Sequence, residues 1–332
     1  MFLKRTFSLD VPPHANHPGE KPMRVQGLIK SLAVCGLLGG MPAAVQAQES
    51  KDPIIIALHD WTGQHLTSHI AGELLKAKGY KVDYVTIDYL TGLTAMENGD
   101  VTFMSELWQT TAQDAMDASD KTGKTERLGP LGPKAKEEWW YPAYMKEKCP
   151  GLPDWKALLK CGEAFSAPET APKGRYLGME ATWGGHDPER IEALGLPFVA
   201  VDAGTEAAMF AELKSAYERK APIILWVYSP HWVPSVFEGE WVEFPAYEPA
   251  CYTDPKWGTN PDKAYDCGKP FGEIFKYTSA DTKKKWPGAY EVLKKLNVDG
   301  KELNLMVKEV DVDGKPLDEV VAAYVTKHKG EY

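Results

Sequence analysis

Between residues 53 and 104 the chain switches repeatedly between two hydrophobic periods, and this alternation constrains its fold more than any other feature. Residues 53–58 are a short apolar run, the pattern of a strand covered on both faces. Leu66, Ile70, Leu74 and Leu75 then recur at helical spacing until Gly79 stops the helix. Residues 80–87 alternate like a strand, 90–98 form a short helix, Gly99-Asp100 makes a turn, and 101–104 read as a third strand. Strands that follow one another through helices need crossover connections, so the predicted sheet is mostly parallel with helices on both faces, an α/β class.

A Pro/Gly/Lys-rich interval at 129–136 precedes Trp139-Trp140-Tyr141-Pro142 and predicts a crossing into a second lobe. There the alternation resumes as helix 187–194, strand 197–200, helix 206–219 and strand 223–228. Residues 246–276, rich in Pro, Gly, Tyr and Cys, would carry the chain back. Trp286-Pro287-Gly288 and a terminal helix over 317–328 would complete the first lobe. The expected division is 48–132 with 247–332 as one lobe and 133–246 as the other.

Residues 23–47 read as a secretory signal: Arg24 and Lys30, an apolar run at 32–38, and a cleavage site Val45-Gln46-Ala47 before Gln48. Residues 1–47 are then removed, whether translation starts at Met1 or at Met23. Cys35 does not fit a lipid-modified position, because Val34 is too large for the residue before it. Export to the periplasm favours disulfides, and the spacing of the four remaining cysteines favours Cys149–Cys161 and Cys251–Cys267. The chain carries 47 acidic against 38 basic residues, a net charge of −9, and loss of five basic and two acidic residues from 1–47 leaves about −12. A protein that neutralises phosphate backbones needs the opposite sign, which argues against nucleic acid. No apolar run reaches the roughly 18–20 residues of a membrane span.

The eleven tryptophans carry the functional signal. Trp61 follows the first strand, Trp108 the third, Trp226 lies at the end of a strand over 223–225, and Trp183 precedes Gly184-Gly185. In open α/β sheets ligands bind beyond the carboxyl ends of strands, so these four rings can converge on one cleft. Packing alone is the competing reading for each ring by itself. Indole faces suit a methylated ammonium or sulfonium, which carries charge but offers no N–H to an acceptor. Asp187 is expected to cap the next helix with Pro188 at its first position, placing the Gly184 and Gly185 amides, with His186 beside them, where a carboxylate is welcome.

Enzymatic signals are poor. His65 and His69 stand four apart on a helix, but no Glu follows His65 as a zinc-protease helix requires, and neither a nucleophile elbow nor a phosphate-binding loop is present. No catalytic residue, metal site or cofactor is expected.

Residues 53–328 resemble a substrate-binding protein of the glycine betaine/proline betaine/choline class of ABC importers. The matching features run in order: Gly79-Tyr80, Gly99-Asp100-Val101, Glu106-Leu107-Trp108, Trp183-Gly184-Gly185, Trp226 with Ser229-Pro230-His231-Trp232, and Trp286-Pro287-Gly288-Ala289-Tyr290. The resemblance implies a two-lobed periplasmic binding fold of type II that closes over its ligand. It implies an onium box of Trp61, Trp108, Trp183 and Trp226, with a further aromatic among Trp139, Trp140 and Tyr141, either Trp140 or Tyr141 being the candidate. It also implies carboxylate binding by the amides of Gly184 and Gly185. Gly63 stands where choline-type members carry an Asp, and Ala112 where one betaine-type branch carries a His. A betaine-like zwitterion therefore leads, with dimethylsulfoniopropionate close behind and choline or carnitine as the alternative. The expected protein is a monomeric periplasmic receptor that hands its ligand to a membrane permease and ATPase. A secreted hydrolase or a sugar receptor using tryptophan platforms is the reading of another kind.

Overall fold

The computed structural model describes residues 49–179 and 183–332. The expected signal segment, with Cys35, lies outside the described residues. The strands are β1 (Ile54–Leu58), β2 (Val82–Thr86), β3 (Phe103–Trp108), β4 (Thr125–Pro142), β5 (Gly174–Gly178), β6 (Phe198–Asp202), β7 (Leu225–Ser229), β8 (Gly239–Trp241) and β9 (Gly272–Ser279). They join in the order β2-β1-β3-β9-β4-β7-β5-β6, with β8 paired to β4.

The two wings of this sheet are parallel, as the alternation predicts. Ile54 pairs with Val82 and Leu58 with Thr86 across β1 and β2, and Gly174 pairs with Phe198 across β5 and β6. The middle is antiparallel. β9 runs against both β3 and β4, and β4 runs against β7. β4 is the crossing element: it pairs with β9 as far as Ala135 opposite Gly272, then with β7 from Lys136 opposite Ser229. Within the interval 129–136 β4 thus changes partner from β9 to β7, inside a strand rather than in a loop. Register breaks between Pro130 and Lys134 accommodate prolines, which cannot donate to a ladder.

Helix Thr62–Ala77 follows β1 and buries Leu66, Ile70, Leu74 and Leu75 against the first wing. Helix Glu206–Arg219 does the same for the second through Met209, Phe210 and Leu213. β9 was hidden in the sequence by polarity: Lys276 is buried in it, and its ammonium donates to the Lys294 and Leu296 carbonyls. The stretch before β9 packs on the second wing. Asn260 Nδ2 donates to the Ala193 carbonyl at 2.8 Å, Arg190 Nε to the Cys267 carbonyl at 2.8 Å, and the Lys269 amide to Glu138 Oε2 at 2.8 Å. Disulfides join Cys149 to Cys161 and Cys251 to Cys267, and the second fastens this stretch to itself.

Candidate functional site

β1, β3 and β7 each bring an indole to one place: the first two at or just beyond their carboxyl ends, β7 near its amino end rather than its carboxyl end as expected. Trp61 directly precedes helix Thr62–Ala77, Trp108 is the last residue of β3, and Trp226 is the second of β7. Trp183 reaches the same place from the loop before helix Asp187–Ala193. The rings form a connected series. Trp61 meets Trp183 edge to face at 5.1 Å, and Trp183 meets Trp226 at 5.7 Å. Two tyrosines extend it: Tyr89 stands at 88° to Trp61 with centroids 5.1 Å apart, and Tyr228 lies 4.9 Å from Trp226 and 5.3 Å from Trp108. Together with Thr111 and Glu137 they line a small cavity.

A buried carboxylate fixes two of the rings. Glu106 Oε2 accepts from Trp61 Nε1 at 2.9 Å and from Trp108 Nε1 at 3.0 Å, while Oε1 accepts from the Thr67 hydroxyl at 2.9 Å. Burial pushes this carboxyl above the usual range, and the three donors pull it back. The Trp108 amide also donates to the Tyr89 hydroxyl at 2.6 Å. The opposite wall is less committed. Trp226 Nε1 and Glu137 Oε2 are buried without a hydrogen-bond partner among the described residues. Burial raises Glu137 to about 7, against the attraction of Lys269 and with the Asp187 and Glu138 carboxylates adding to the rise.

The remaining expected residues are elsewhere. Trp140 and Tyr141 do not line the cavity. Trp140 pairs across to Trp241 and covers Gly239, where an added Cβ would meet its ring at 1.9 Å, and Tyr141 OH donates to Glu240 at 3.3 Å. Trp139 stacks on Tyr176 at 3.9 Å. The place of the further aromatic is taken by Tyr89 and Tyr228, which sequence reading passed over because each sits in an ordinary apolar stretch. Gly184, Gly185 and His186 line a separate, larger cavity of about 890 Å³ with Met179 and Asp187. Asp187 does not cap the helix. His186, in the left-handed region at φ 57°, holds that position, and Asp187 is the first helical residue. Its carboxylate is already engaged by Trp139 Nε1 at 2.8 Å, by Arg190 at 3.3 Å and by Lys269 at 3.3 Å. Lys269 also donates to the Gly185 carbonyl at 2.7 Å, close enough that a Cβ there would meet its amine.

Among the described residues no group of three or more His, Cys, Asp or Glu side chains is arranged to hold a metal ion, and no helix is long and apolar enough to cross a membrane. His69 Nδ1 turns to the His65 carbonyl at 2.7 Å.

A family model described as the substrate-binding domain of ABC-type glycine betaine transport systems matches residues 52–327. The trimethylamine N-oxide-binding protein of Pelagibacter ubique (strain HTCC1062) is 31% identical over 295 residues, covering 85% of this chain and 90% of its own. Among solved structures, lactococcal OpuAC in its closed form with glycine betaine is similar at a TM-score of 0.64, with 18% identity and coverage of 84% and 98% of the two chains. A choline-binding protein of an ABC transporter in complex with choline is similar at 0.65, with 18% identity over 83% and 89%. These two likenesses show the fold.

Proposed function

The chain belongs to the family of substrate-binding domains of ABC-type glycine betaine transport systems, and from that premise we propose that it captures a small methylated onium zwitterion in the Trp61–Trp108–Trp183–Trp226 cavity and delivers it to an importer. The observation that supports this most is the connected series of indole and phenol rings around a cavity that also takes in the buried Glu137. Each cation–π contact contributes about 0.5–2 kcal/mol when desolvated, so several together reach micromolar affinity. Nothing is made or broken in the cycle: the lobes close, the ligand is shielded, and the lobes open at the permease and its ATPase. We take residues 49–135 with 272–332 as one lobe and 136–271 as the other, moving the return crossing from 247 because residues 249–269 bond to the second wing. The site of action is outside the cytoplasmic membrane, in the periplasm.

Trimethylamine N-oxide leads among the ligands, ahead of glycine betaine and dimethylsulfoniopropionate. Its single oxygen can stay among the rings that line the cavity. A protonated Glu137, whose carboxyl is raised to about 7, offers that oxygen a donor, as does the unpartnered Trp226 Nε1. A longer carboxylate arm would meet the buried Glu137 instead of the Gly184 and Gly185 amides, which line another cavity. The 31% identical relative that binds trimethylamine N-oxide by name agrees with this order.

Titration calorimetry of the mature chain, unfolded and refolded to strip carried-over ligand, tests the proposal. Trimethylamine N-oxide, glycine betaine, dimethylsulfoniopropionate, choline and carnitine are compared, with maltose as control. Micromolar binding of the N-oxide, tighter than choline, is expected. Silence from every onium compound would overturn the receptor reading, and turnover of a ligand during incubation would make the protein an enzyme.

A further inference from the structure

Beside the cavity, where the two wings face each other, lies a second polar assembly whose own residues do not line the cavity. Helix Thr62–Ala77 and helix Gly300–Asp311 belong to the first wing, while helix Glu206–Arg219 and the residues after β7 belong to the second. Each side presents one buried or half-buried carboxylate to donors of the other. The Thr62 amide, at the start of its helix, donates to Glu206 Oε2 across the cleft at 2.9 Å. In return Trp232 Nε1 donates to Asp311 Oδ2 at 2.9 Å, and Lys214 Nζ donates to the Asp311 carbonyl at 3.1 Å. The Thr62 hydroxyl closes the ring of bonds by donating to Asp311 Oδ1 at 2.7 Å.

The assembly is tied to the cavity at both ends. Thr62 follows Trp61, so its position sets that indole. Glu206 accepts from the hydroxyl of Tyr228, whose ring forms the cavity wall beside Trp108. Phe210 and Lys214 from helix Glu206–Arg219 pack on His231 and Trp232, which fixes the donor that reaches Asp311.

We propose that Glu206 and Asp311, with Thr62 and Trp232 as their partners from the opposite lobe, form a reciprocal latch that holds the closed lobes together and so sets ligand affinity without contacting ligand. This rests on the receptor reading above. The latch residues are positioning residues: they exist as partners only when Trp61 and Tyr228 stand on opposite sides of one enclosed cavity. Burial and the nearby Asp311 and Asp60 carboxylates raise Glu206 to about 8, while Tyr228 and Thr62 donate to it, His231 stands 3.6 Å away and Lys214 flanks Asp311. Closure therefore draws a proton onto this carboxyl. The sign follows: a group raised on closing favours the closed form below its pKa, and that help fades as pH rises through about 8.

The test is a double-mutant cycle with Trp232→Phe, which keeps the ring and removes the donor, and Asp311→Ala, which removes the acceptor. Dissociation constants and off-rates for trimethylamine N-oxide and glycine betaine are measured alongside the melting temperature of the unliganded protein. Each single variant is expected to weaken both ligands by a similar factor, about tenfold or more, with a faster off-rate and an unchanged unliganded melting temperature. The double variant is expected to be no weaker than Asp311→Ala alone, because the bond that Trp232→Phe breaks is one of the two that Asp311→Ala already removes. Glu206→Gln gives a second readout, since the ratio of wild-type to variant dissociation constant is expected to grow between pH 6 and 8 while Glu137 is common to both. Wild-type affinities and off-rates in both single variants, or additive losses in the double, would overturn the latch while leaving the receptor intact. A wild-type protein that binds neither onium compound would overturn the receptor reading and the latch with it.

Discussion

The two walls of the aromatic cavity are built differently. On the side of β1 and β3, Trp61 and Trp108 have both indole nitrogens fixed on Glu106, and Trp108 is held again through Tyr89. On the side of β7, Trp226 has no partner for its nitrogen among the described residues, and Trp183 comes from a loop between a strand and a short helix. One wall is preorganised before anything binds. The other keeps polar capacity in reserve, and a ligand oxygen is the natural group to use it. Preorganised rings spare the ligand the cost of ordering them, which matters when a fully hydrated ion must be dehydrated to enter.

This contrast is open to direct attack, beginning with the fixed wall. Glu106→Leu removes one acceptor shared by two indoles and leaves both N–H groups buried and unpaired, at about 1–3 kcal/mol each. The expected result is a loss of about a hundredfold or more in affinity, equal for every onium ligand because the rings and not a ligand contact are lost. Calorimetry with tetramethylammonium and trimethylamine N-oxide side by side checks this. Trp108→Ala, which deletes one face and keeps Glu106, is expected to cost at least about tenfold.

The second wall should answer more selectively. Trp226→Phe keeps a ring and removes the unpartnered donor, so the N-oxide is expected to weaken by about five- to tenfold while tetramethylammonium, which has no oxygen, is unaffected. Equal losses for both would mean that Trp226 acts through its face alone. Glu137 gives the pH signature of the same wall. With its carboxyl raised to about 7, the protonated donor is present below that value and lost above it, so affinity for the N-oxide is expected to fall as pH rises from 6 to 8.5. Glu137→Gln keeps a donor at all pH values and should remove the part of the fall centred near 7, leaving the part that Glu206 contributes near 8; a profile that rises with pH would show the ionised carboxylate attracting the cation instead. The smallest effect is expected from Trp140→Phe. This residue covers Gly239 outside the cavity, and a dissociation constant within about twofold of wild type would separate it from the four site indoles.

The same division explains what could be read from the sequence. The parallel wings were legible because strand and helix periods differ and each segment kept its period, and helices Glu206–Arg219 and Leu317–His328 fall where the pattern put them. The antiparallel middle was not. β9 carries a buried lysine, and β4 carries prolines and charges, because both strands serve the crossing rather than a uniform core. Trp61 and Trp108 were legible from their places at strand ends, whereas Trp226 stands near the start of β7 and Trp183 in a loop, so the reading brought them to the right place for a different reason. Tyr89 and Tyr228 were not, since an aromatic in an apolar run signals packing first. Glu106, although visible within Glu106-Leu107-Trp108, gave no hint that one carboxylate would hold two indoles, one of them 45 residues away. Gly184 and Gly185 are a different case: their spacing before a helix suggested an anion site, and in the structure they line the neighbouring cavity, where Lys269 holds the Gly185 carbonyl.

The most direct test of the central claim is to remove the ligand's charge separation and keep its shape. Trimethylamine N-oxide and tert-butanol, its uncharged carbon isostere, differ in little else, and their dissociation constants on the wild-type protein can be compared by competition. Four indole faces that recognise a methylated cation are expected to favour the N-oxide by at least about a hundredfold. Comparable affinities would contradict the account and make the cavity an apolar pocket that happens to be walled with tryptophan.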